Sequence, residues 1–395
     1  MREKQKLVPR LRFPEFRGAG EWEARTLDSL LNYQQPTAYL VSDAKYSDTY
    51  KTPVLTAGKT FILGYTNEQH GIFSKKLPVI IFDDFTTATK FVDFPFKAKS
   101  SAMKILQANN GVNLKFVYEA MQMISYEVGT HERHWISTFA SMSILAPKPN
   151  EQKKIADCLA SLDDLITLES QKLDTLKTHK KGLMQQLFPA EGETMPKLRF
   201  PEFRDAGGWE EKKAGALFGN RLEDGEDGLS IYSVTMNDGM VKRSSLERRV
   251  DDIAESGGNK KARKGDIAYN MMRMWQGAFG VAPEDCMVSP AYVVLSPEGN
   301  ACSDLFGYLF KLPKYLQLLT SHSQGLTLDR LRLYYKDFAR IPVLIPSPLE
   351  QQKIADCLAS LDNFIIAQTQ KLAALKTHKK GLMQQLFPVL DEVAA

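Results

Sequence analysis

EQKKIADCLASLDDLITLESQKLDTLKTHKKGLMQQLFP, from Glu151 to Pro189, is written again as EQQKIADCLASLDNFIIAQTQKLAALKTHKKGLMQQLFP, from Glu350 to Pro388. About 30 of roughly 39 aligned positions are identical, and self-similarity at a fixed offset is the first organising signal a chain can give. Each copy carries a seam. Ile155, Leu159, Leu162, Ile166, Glu169, Leu173, Leu176, Lys180, Leu183 and Leu187 step by four and three in alternation, and Ile354, Leu358, Leu361, Ile365, Gln368, Leu372, Leu375, Lys379, Leu382 and Leu386 repeat the pattern. A heptad sustained that long predicts a long helix with a narrow apolar stripe, and such a stripe needs a partner helix. The other copy is the obvious partner. Ser347, Pro348 and Glu350 read as an N-cap, a first-turn proline and a capping-box acid; Lys148, Pro149 and Glu151 hold the same places without the hydroxyl. At ~1.5 Å per residue each helix would be on the order of 55 Å long. A helical hairpin serving as core is the plainer reading. Two near-identical rods so far apart in sequence point instead to a scaffold.

A second, shorter repeat precedes each rod. Pro9 to Arg17 reads PRLRFPEFR and Pro196 to Arg204 reads PKLRFPEFR, with Trp22 and Trp209 shortly after. The chain is therefore two half-chains in tandem: an opening motif, a variable middle, a shared long helix. The middles, 23–148 and 210–347, share only a coarse rhythm. LPVIIFDDF (77–85) and KFVDFPF (90–96) read as strands, and 113–128 has apolar residues at helical spacing. In the second middle, 229–235, 265–272 and 291–297 read as strands, 303–321 as a helix broken at Pro313, and 340–346 as a short strand leading into the rod. Each middle is thus an α+β domain.

The chain has 395 residues, a net charge of +4, 43% hydrophobic and 25% charged residues. That suits two or three soluble domains; the charge permits a nucleic-acid partner without arguing for one. Cys158, Cys286, Cys302 and Cys357 form no C-x-x-C pair, and reduced thiols in a cytoplasmic protein are expected. The start, MREKQKLVPR, has no apolar core and is not read as a signal peptide. No apolar run approaches the ~20 residues of a membrane span.

Marks of catalysis are missing from the sequence. It has no G-x-x-x-x-G-K-[ST] loop. It also lacks the glycine-rich cofactor loop and the Asn/Asp-Pro-Pro-aromatic tetrapeptide of an adenine methyltransferase; SPAY (289–292) is the nearest match and lacks the second proline. Asp83 and Asp84 invite a metal-dependent nuclease reading, but no further carboxylates and lysine accompany them in sequence. A strand-end turn is the plainer reading. His131 and His134 lack a third ligand at metal spacing and read as a surface loop. No catalytic residue and no metal site is assigned.

Two copies of [K/R]-L-R-F-P-E-F followed by Trp, two of E-Q-x-K-I-A-x-x-L-x-x-L-D, and two of K-K-G-L-M-Q-Q-L-F, in this order over the whole chain, resemble the specificity subunit of type I restriction–modification enzymes. Residues 71–96 and 264–281 also look like segments of its recognition domains. The resemblance implies an α+β fold with a first target recognition domain (1–150), a central conserved helix (151–189), a linker, opening motif and second recognition domain (190–347), and a distal conserved helix with a tail (348–395). In such families the two helices pack antiparallel as a coiled coil and hold the domains apart in a pseudo-twofold tandem repeat. It further implies that each domain reads one half of a split, asymmetric site in double-stranded DNA. The subunit itself is non-catalytic and holds no cofactor. Two methyltransferase subunits bring S-adenosylmethionine, and two restriction subunits use ATP and Mg. The alternative is a coiled-coil scaffold with two protein-binding domains.

Candidate DNA contacts follow from residue type. Lysine and arginine neutralise phosphates, and Asn, Gln and Arg read base edges. In the second middle these are Lys260, Lys261, Arg263 and Lys264, then Asn270, Arg273 and Gln276 as readers, with Arg330 and Arg332 as phosphate contacts. Trp275 packs or wedges. In the first they are Thr86, Thr87, Thr89, Lys90, Lys97 and Lys99, with Lys59, Thr60 and Tyr65 as weaker choices. A solvated charged surface is the competing reading for each. HKKG at 179–182 and 378–381 is basic at a helix end, where it complements the helix dipole.

Overall fold

The computed structural model describes residues 7–388 apart from 57, 59, 127–132, 247–256 and 328–329. The chain forms two units, Met1–Gln171 with Thr369–Ala395, and Lys172–Gln368. The heptad stretches are helices, as their seams require: a central helix, Pro149–Leu187, and a distal helix, Pro348–Leu386. Each contributes one half to each unit. Every seam position is buried or half-buried, whereas the neighbouring Lys153, Lys154, Asp157 and Lys177 are exposed.

The first unit holds β1 (Glu23–Thr26), α1 (Leu27–Leu30), β2 (Leu31–Gln34), β3 (Thr52–Leu55), β4 (Ile62–Thr66), β5 (Val79–Asp83), β6 (Thr89–Val92), β7 (Lys97–Ala98), β8 (Met103–Ala108), α2 (Leu114–Met121), α3 (His134–Ser137) and β9 (Ser143–Ala146). The strands form an antiparallel sheet in the order β2-β8-β5-β6, a sheet β4-β3-β7, and a pair β1-β9. β5 is buried along its whole length. Its alternating side chains enter opposite cores: Ile80 and Phe82 pack with Trp22, Phe116 and the helices, Val79 and Ile81 with Phe73 and Phe96. A strand covered on both faces reads as a continuous apolar run, which is why VIIF was legible. The helix expected over 113–128 ends at Met121; residues 127 and 128 lie outside those described.

The second unit holds β10 (Glu210–Lys213), β11 (Phe218–Arg221), β12 (Ile231–Thr235), β13 (Gly239–Lys242), β14 (Lys260–Ala262), β15 (Ile267–Asn270), β16 (Phe279–Val281), β17 (Cys286–Val288), β18 (Tyr292–Pro297), α4 (Ser303–Leu309), α5 (Pro313–Ser321), α6 (Tyr335–Phe338) and β19 (Pro342–Ile345). Its sheets run β11-β18-β15-β16 and β13-β12-β17-β14, with a pair β10-β19. The plan is that of the first unit. β11, β18, β15 and β16 stand where β2, β8, β5 and β6 stand, and the parallel pair β12-β17 matches β3-β7. The two middles thus share a topology that their sequences did not reveal. The break at Pro313 falls as expected, separating α4 from α5.

In each unit the rod halves run antiparallel. Lys379 reaches Asp163 and Lys371 reaches Glu169 in the first; Lys180 reaches Asp362 in the second. The first lysine of each HKKG, Lys180 and Lys379, therefore bridges the rods rather than only facing a helix end. The opening motif closes each unit. Leu11 N–H donates to Gln385 O at 3.0 Å and Leu198 N–H to Gln186 O at 2.9 Å. Glu350, read as a capping-box acid, gives its carboxylate to Arg199, and Glu151 gives its own to Arg12. A buried guanidinium fork offers two charge-assisted bonds where the backbone N–H offers one. Next to them, Gln152 accepts from Asn113 N–H and Gln351 from Cys302 N–H, each at 3.0 Å, pinning α2 and α4 to the rod starts. All four cysteines are free. Among the described residues no helix is long and apolar enough to cross a membrane.

Candidate nucleic-acid interface

The shared topology puts two independently chosen stretches at equivalent places, one in each unit. Thr86 and Thr87 lie in the hairpin loop between β5 and β6; Arg273 and Gln276 lie in the loop between β15 and β16. In the first loop Asp83 Oδ1 accepts the N–H groups of Phe85 (2.8 Å) and Thr86 (3.2 Å), and Thr87 N–H donates to Asp83 O. Thr87 sits at φ 57°, the left-handed region, which the turn imposes. Thr86 is exposed, and Thr89 Oγ1 accepts from Gln122 Nε2 at 2.7 Å. Asp83 is therefore the anchor of a strand-end turn. Asp84 is fully buried; its Oδ2 lies 3.0 Å from Lys104 Nζ, and its Oδ1 accepts Trp135 N–H. Among the described residues no His, Cys, Asp and Glu side chains group as a metal site. His131 lies outside those residues. His134 is buried, not in a surface loop, and its Nδ1 lies 3.2 Å from Tyr126 OH.

The second loop is built the same way. Asn270 Oδ1 accepts Met272 N–H at 3.0 Å, so half of its carboxamide shapes the turn. Trp275 is half-buried and its Nε1 donates to Met272 O at 3.0 Å, which closes the loop. Gly277 at φ 84° lets the chain re-enter β16. Arg273 and Gln276 are exposed. One backbone bond, Leu333 N–H to Met271 O at 2.9 Å, ties this loop to the segment 324–333, where Gln324 and Arg332 exchange backbone bonds at 2.9 Å each. Arg330 and Arg332 are exposed. Among the described residues no carboxylate pairs with Arg273, Arg330 or Arg332. Arg273 and the pair Arg330 and Arg332, expected from two distant stretches of sequence, are thus brought to one region by the fold.

The other cations are placed differently. Lys97 is buried, and its ammonium goes to Glu68 and to His70 O. That bond, with the N–H groups of Ser42 and Asp43, holds the Glu68 carboxyl down at about 2. Lys260 is half-buried, donates to Tyr292 O at 2.7 Å, and burial lowers its pKa. Lys261 pairs with Glu226 and Arg263 with Glu223. The Lys264 side chain is exposed. Lys90 and Lys99 are exposed and lie over the rings of Phe61 and Tyr46, at 5.9 and 5.8 Å. Lys59 lies outside the described residues. What the sequence reading passed over are Met272 and Leu326, 43% and 99% exposed beside the unpaired arginines. In sequence they look like any other core residue.

A family model described as the type I restriction modification DNA specificity domain matches residues 19–178 and again 217–377. The chain belongs to this specificity family. Both matches run through a module into a rod. The specificity subunit of the Escherichia coli type I restriction enzyme EcoR124I/EcoR124II is 48% identical over 170 residues. That match covers 41% of this chain and 42% of the relative, so the chain spans under half of that protein's length. Among solved structures, the type I restriction–modification S subunit from M. genitalium superposes with a TM-score of 0.64 over 97% of this chain and 100% of that one, at 16% identity. The HsdS subunit from Thermoanaerobacter tengcongensis reaches 0.41 over 94% and 99%, at 15% identity. The first of these likenesses carries the specificity fold; identities this low carry nothing finer.

Proposed function

We propose that this specificity-family chain is the DNA-reading subunit of a type I restriction–modification complex, acting in the cytoplasm on a bipartite, asymmetric site. Each module reads one half-site through the loop between its two matching strands. The observation that carries this reading is that pair of loops: one topology, two different sets of side chains at the tips, exposed Thr86 and half-buried Thr87 against exposed Arg273 and Gln276. Equal scaffolds with unequal tips suit two different sequences. The rods, near-identical in sequence, offer equivalent docking faces to two copies of one methyltransferase subunit. S-adenosylmethionine belongs to that partner, and ATP and Mg to two restriction subunits; the chain itself orients DNA and performs no bond-making.

The test is a module exchange in the assembled complex. Replacing residues 23–148 with the middle of a relative should change one half of the methylated site and leave the other. A change in both halves would sink the modular reading. Absence of specific DNA binding in a gel shift with the methyltransferase partner would favour a scaffold whose modules bind proteins.

A further inference from the structure

The two apolar side chains Met272 and Leu326 are exposed in a region rich in cations. Met272 is held on both sides of its Cα: its N–H by Asn270 Oδ1 and its carbonyl by Trp275 Nε1. Leu326 follows Gly325, where a Cβ would lie 2.6 Å from Arg330 O, so the backbones of Gly325 and Arg330 lie close together beside the Gln324–Arg332 pair. Through Leu333 and Met271 the two loops belong to one surface. The backbone path between Met272 and Leu326 is at most about 25 Å, less than one turn of duplex, roughly 34 Å. Among the other exposed apolar residues of this unit, Leu222 lies between Arg221 and Glu223, which pair with each other, Met236 lies in the turn between β12 and β13, Met195 and Leu198 lie in the linker and opening motif, and Leu349, Phe364 and Ile366 lie on the distal helix.

An apolar knob among guanidinium groups that meet no carboxylate among the described residues fits one feature of a polyanionic duplex. The major groove is polar except for the C5-methyl group of thymine, which apolar side chains contact. We propose that Met272 and Leu326 are specificity-determining contacts of the second module, each covering a thymine methyl while Arg273, Arg330 and Arg332 hold phosphates or a guanine edge beside it. This rests on the DNA reading proposed above. The Met272 turn, closed by Asn270 and Trp275, suits the role, because little ordering then opposes binding there. The bases are read through shape and apolar contact at these positions, with hydrogen bonding left to Arg273 and Gln276.

The experiment uses the full chain with its methyltransferase partner and duplexes carrying the mapped site. Thymines of each half-site, on either strand, are replaced one at a time by deoxyuridine, which removes only the methyl group. In the half-site of the second module at least two replacements should weaken binding roughly three- to tenfold, the scale of one buried methyl group. Met272→Ala should abolish the response at one of these positions and Leu326→Ala at the other, while Met272→Leu keeps it. Both side chains are exposed, so the variants should melt with the parent. Unchanged binding at every deoxyuridine position, or a half-site without A·T pairs, overturns the inference and leaves the DNA reading standing. Variants that weaken partner association but not the deoxyuridine response overturn it too. Loss of all sequence-specific binding by the parent chain would overturn both.

Discussion

Arg12 lays its guanidinium along the carboxylate of Glu151, Nε to Oε1 and Nη2 to Oε2 both at 2.7 Å, and Arg199 meets Glu350 at the same two distances. The arginine comes from the opening motif and the glutamate from the first turn of the rod. Trp22 Nε1 adds a bond to Glu151 at 3.3 Å, and the remaining guanidinium nitrogen of Arg12 donates to Gly20 O. The repeated sentence in the sequence is thus a repeated clamp. The two sequence motifs that recur together are the two halves of one buried ion pair.

Removing one partner of such a pair leaves the other charge buried. Arg12 and Glu151 side chains are 9% and 2% exposed, so Arg12→Ala should destabilise the first unit by about 3–5 kcal/mol. Arg12→Lys should recover little, since a lysine cannot form the two-pronged bond. The double variant Arg12→Ala with Glu151→Ala should cost less than the sum of the single losses. Thermal and urea unfolding of the full chain would check this, read as the transition of one unit. Additive losses would show that the residues act separately.

The rods and the clamp were legible because their signals are long or repeated. A seam of ten positions leaves little room for another period. The topology of the modules was not legible. LNYQ of β2 and FGNR of β11 occupy the same place in the same sheet yet share no pattern. Strands of three to six residues at that position are fixed by what packs on them. The hairpin loops were found through residue type. Lys97 shows the limit of that method: Glu68, whose carboxylate takes its ammonium, lies on another strand-end segment, and nothing local in sequence marks the pairing.

The Glu68–Lys97 pair carries a pH dependence with a definite sign. The carboxyl is held at about 2 in the folded chain against 4.5 for an ordinary one. A depressed folded-state value contributes stability that is fully present above the unfolded value and is lost as pH falls through the folded one. Between about pH 4.5 and 2 the first unit should therefore lose on the order of 1–2 kcal/mol from this pair, after allowance for screening at its wet rim. Glu68→Gln should flatten that part of the acid limb. An acid limb identical in parent and variant would remove the pair from the account.

Two lysines on the distal helix separate buried from exposed pairing. Lys379 is 16% exposed and lies 3.0 Å from Glu119 and 2.6 Å from Asp163; Glu119 is fully buried. Desolvation alone would raise the Asp163 carboxyl, but bonds from Lys115 and Lys379 outweigh it and lower it. Lys371 pairs with Glu169 but is 53% exposed. Lys379→Ala should cost about 2–4 kcal/mol and Lys371→Ala less than about 1 kcal/mol. Equal effects in denaturant titrations would mean that burial does not govern these bridges.

Exposed arginines that meet no carboxylate among the described residues contrast with a paired lysine. Arg273 is exposed on the loop between β15 and β16, with no carboxylate partner among the described residues, and has the fork that reads guanine. Arg273→Ala should relax one base position at about 1–3 kcal/mol of discrimination. Arg332→Ala should weaken all sequences alike and lower the slope of affinity against salt by about 0.9, one phosphate contact. Lys261 has the right charge, but Glu226 already engages it. Its ammonium must leave that partner before it can meet a phosphate, so Lys261→Ala should change both affinity and salt slope less than Arg332→Ala does. Salt titrations of binding to the mapped site and to a scrambled duplex distinguish the three. If Arg273→Ala instead lowers affinity uniformly across sequences, the reader of the second half-site is another residue on that loop, and Gln276 is the next to replace.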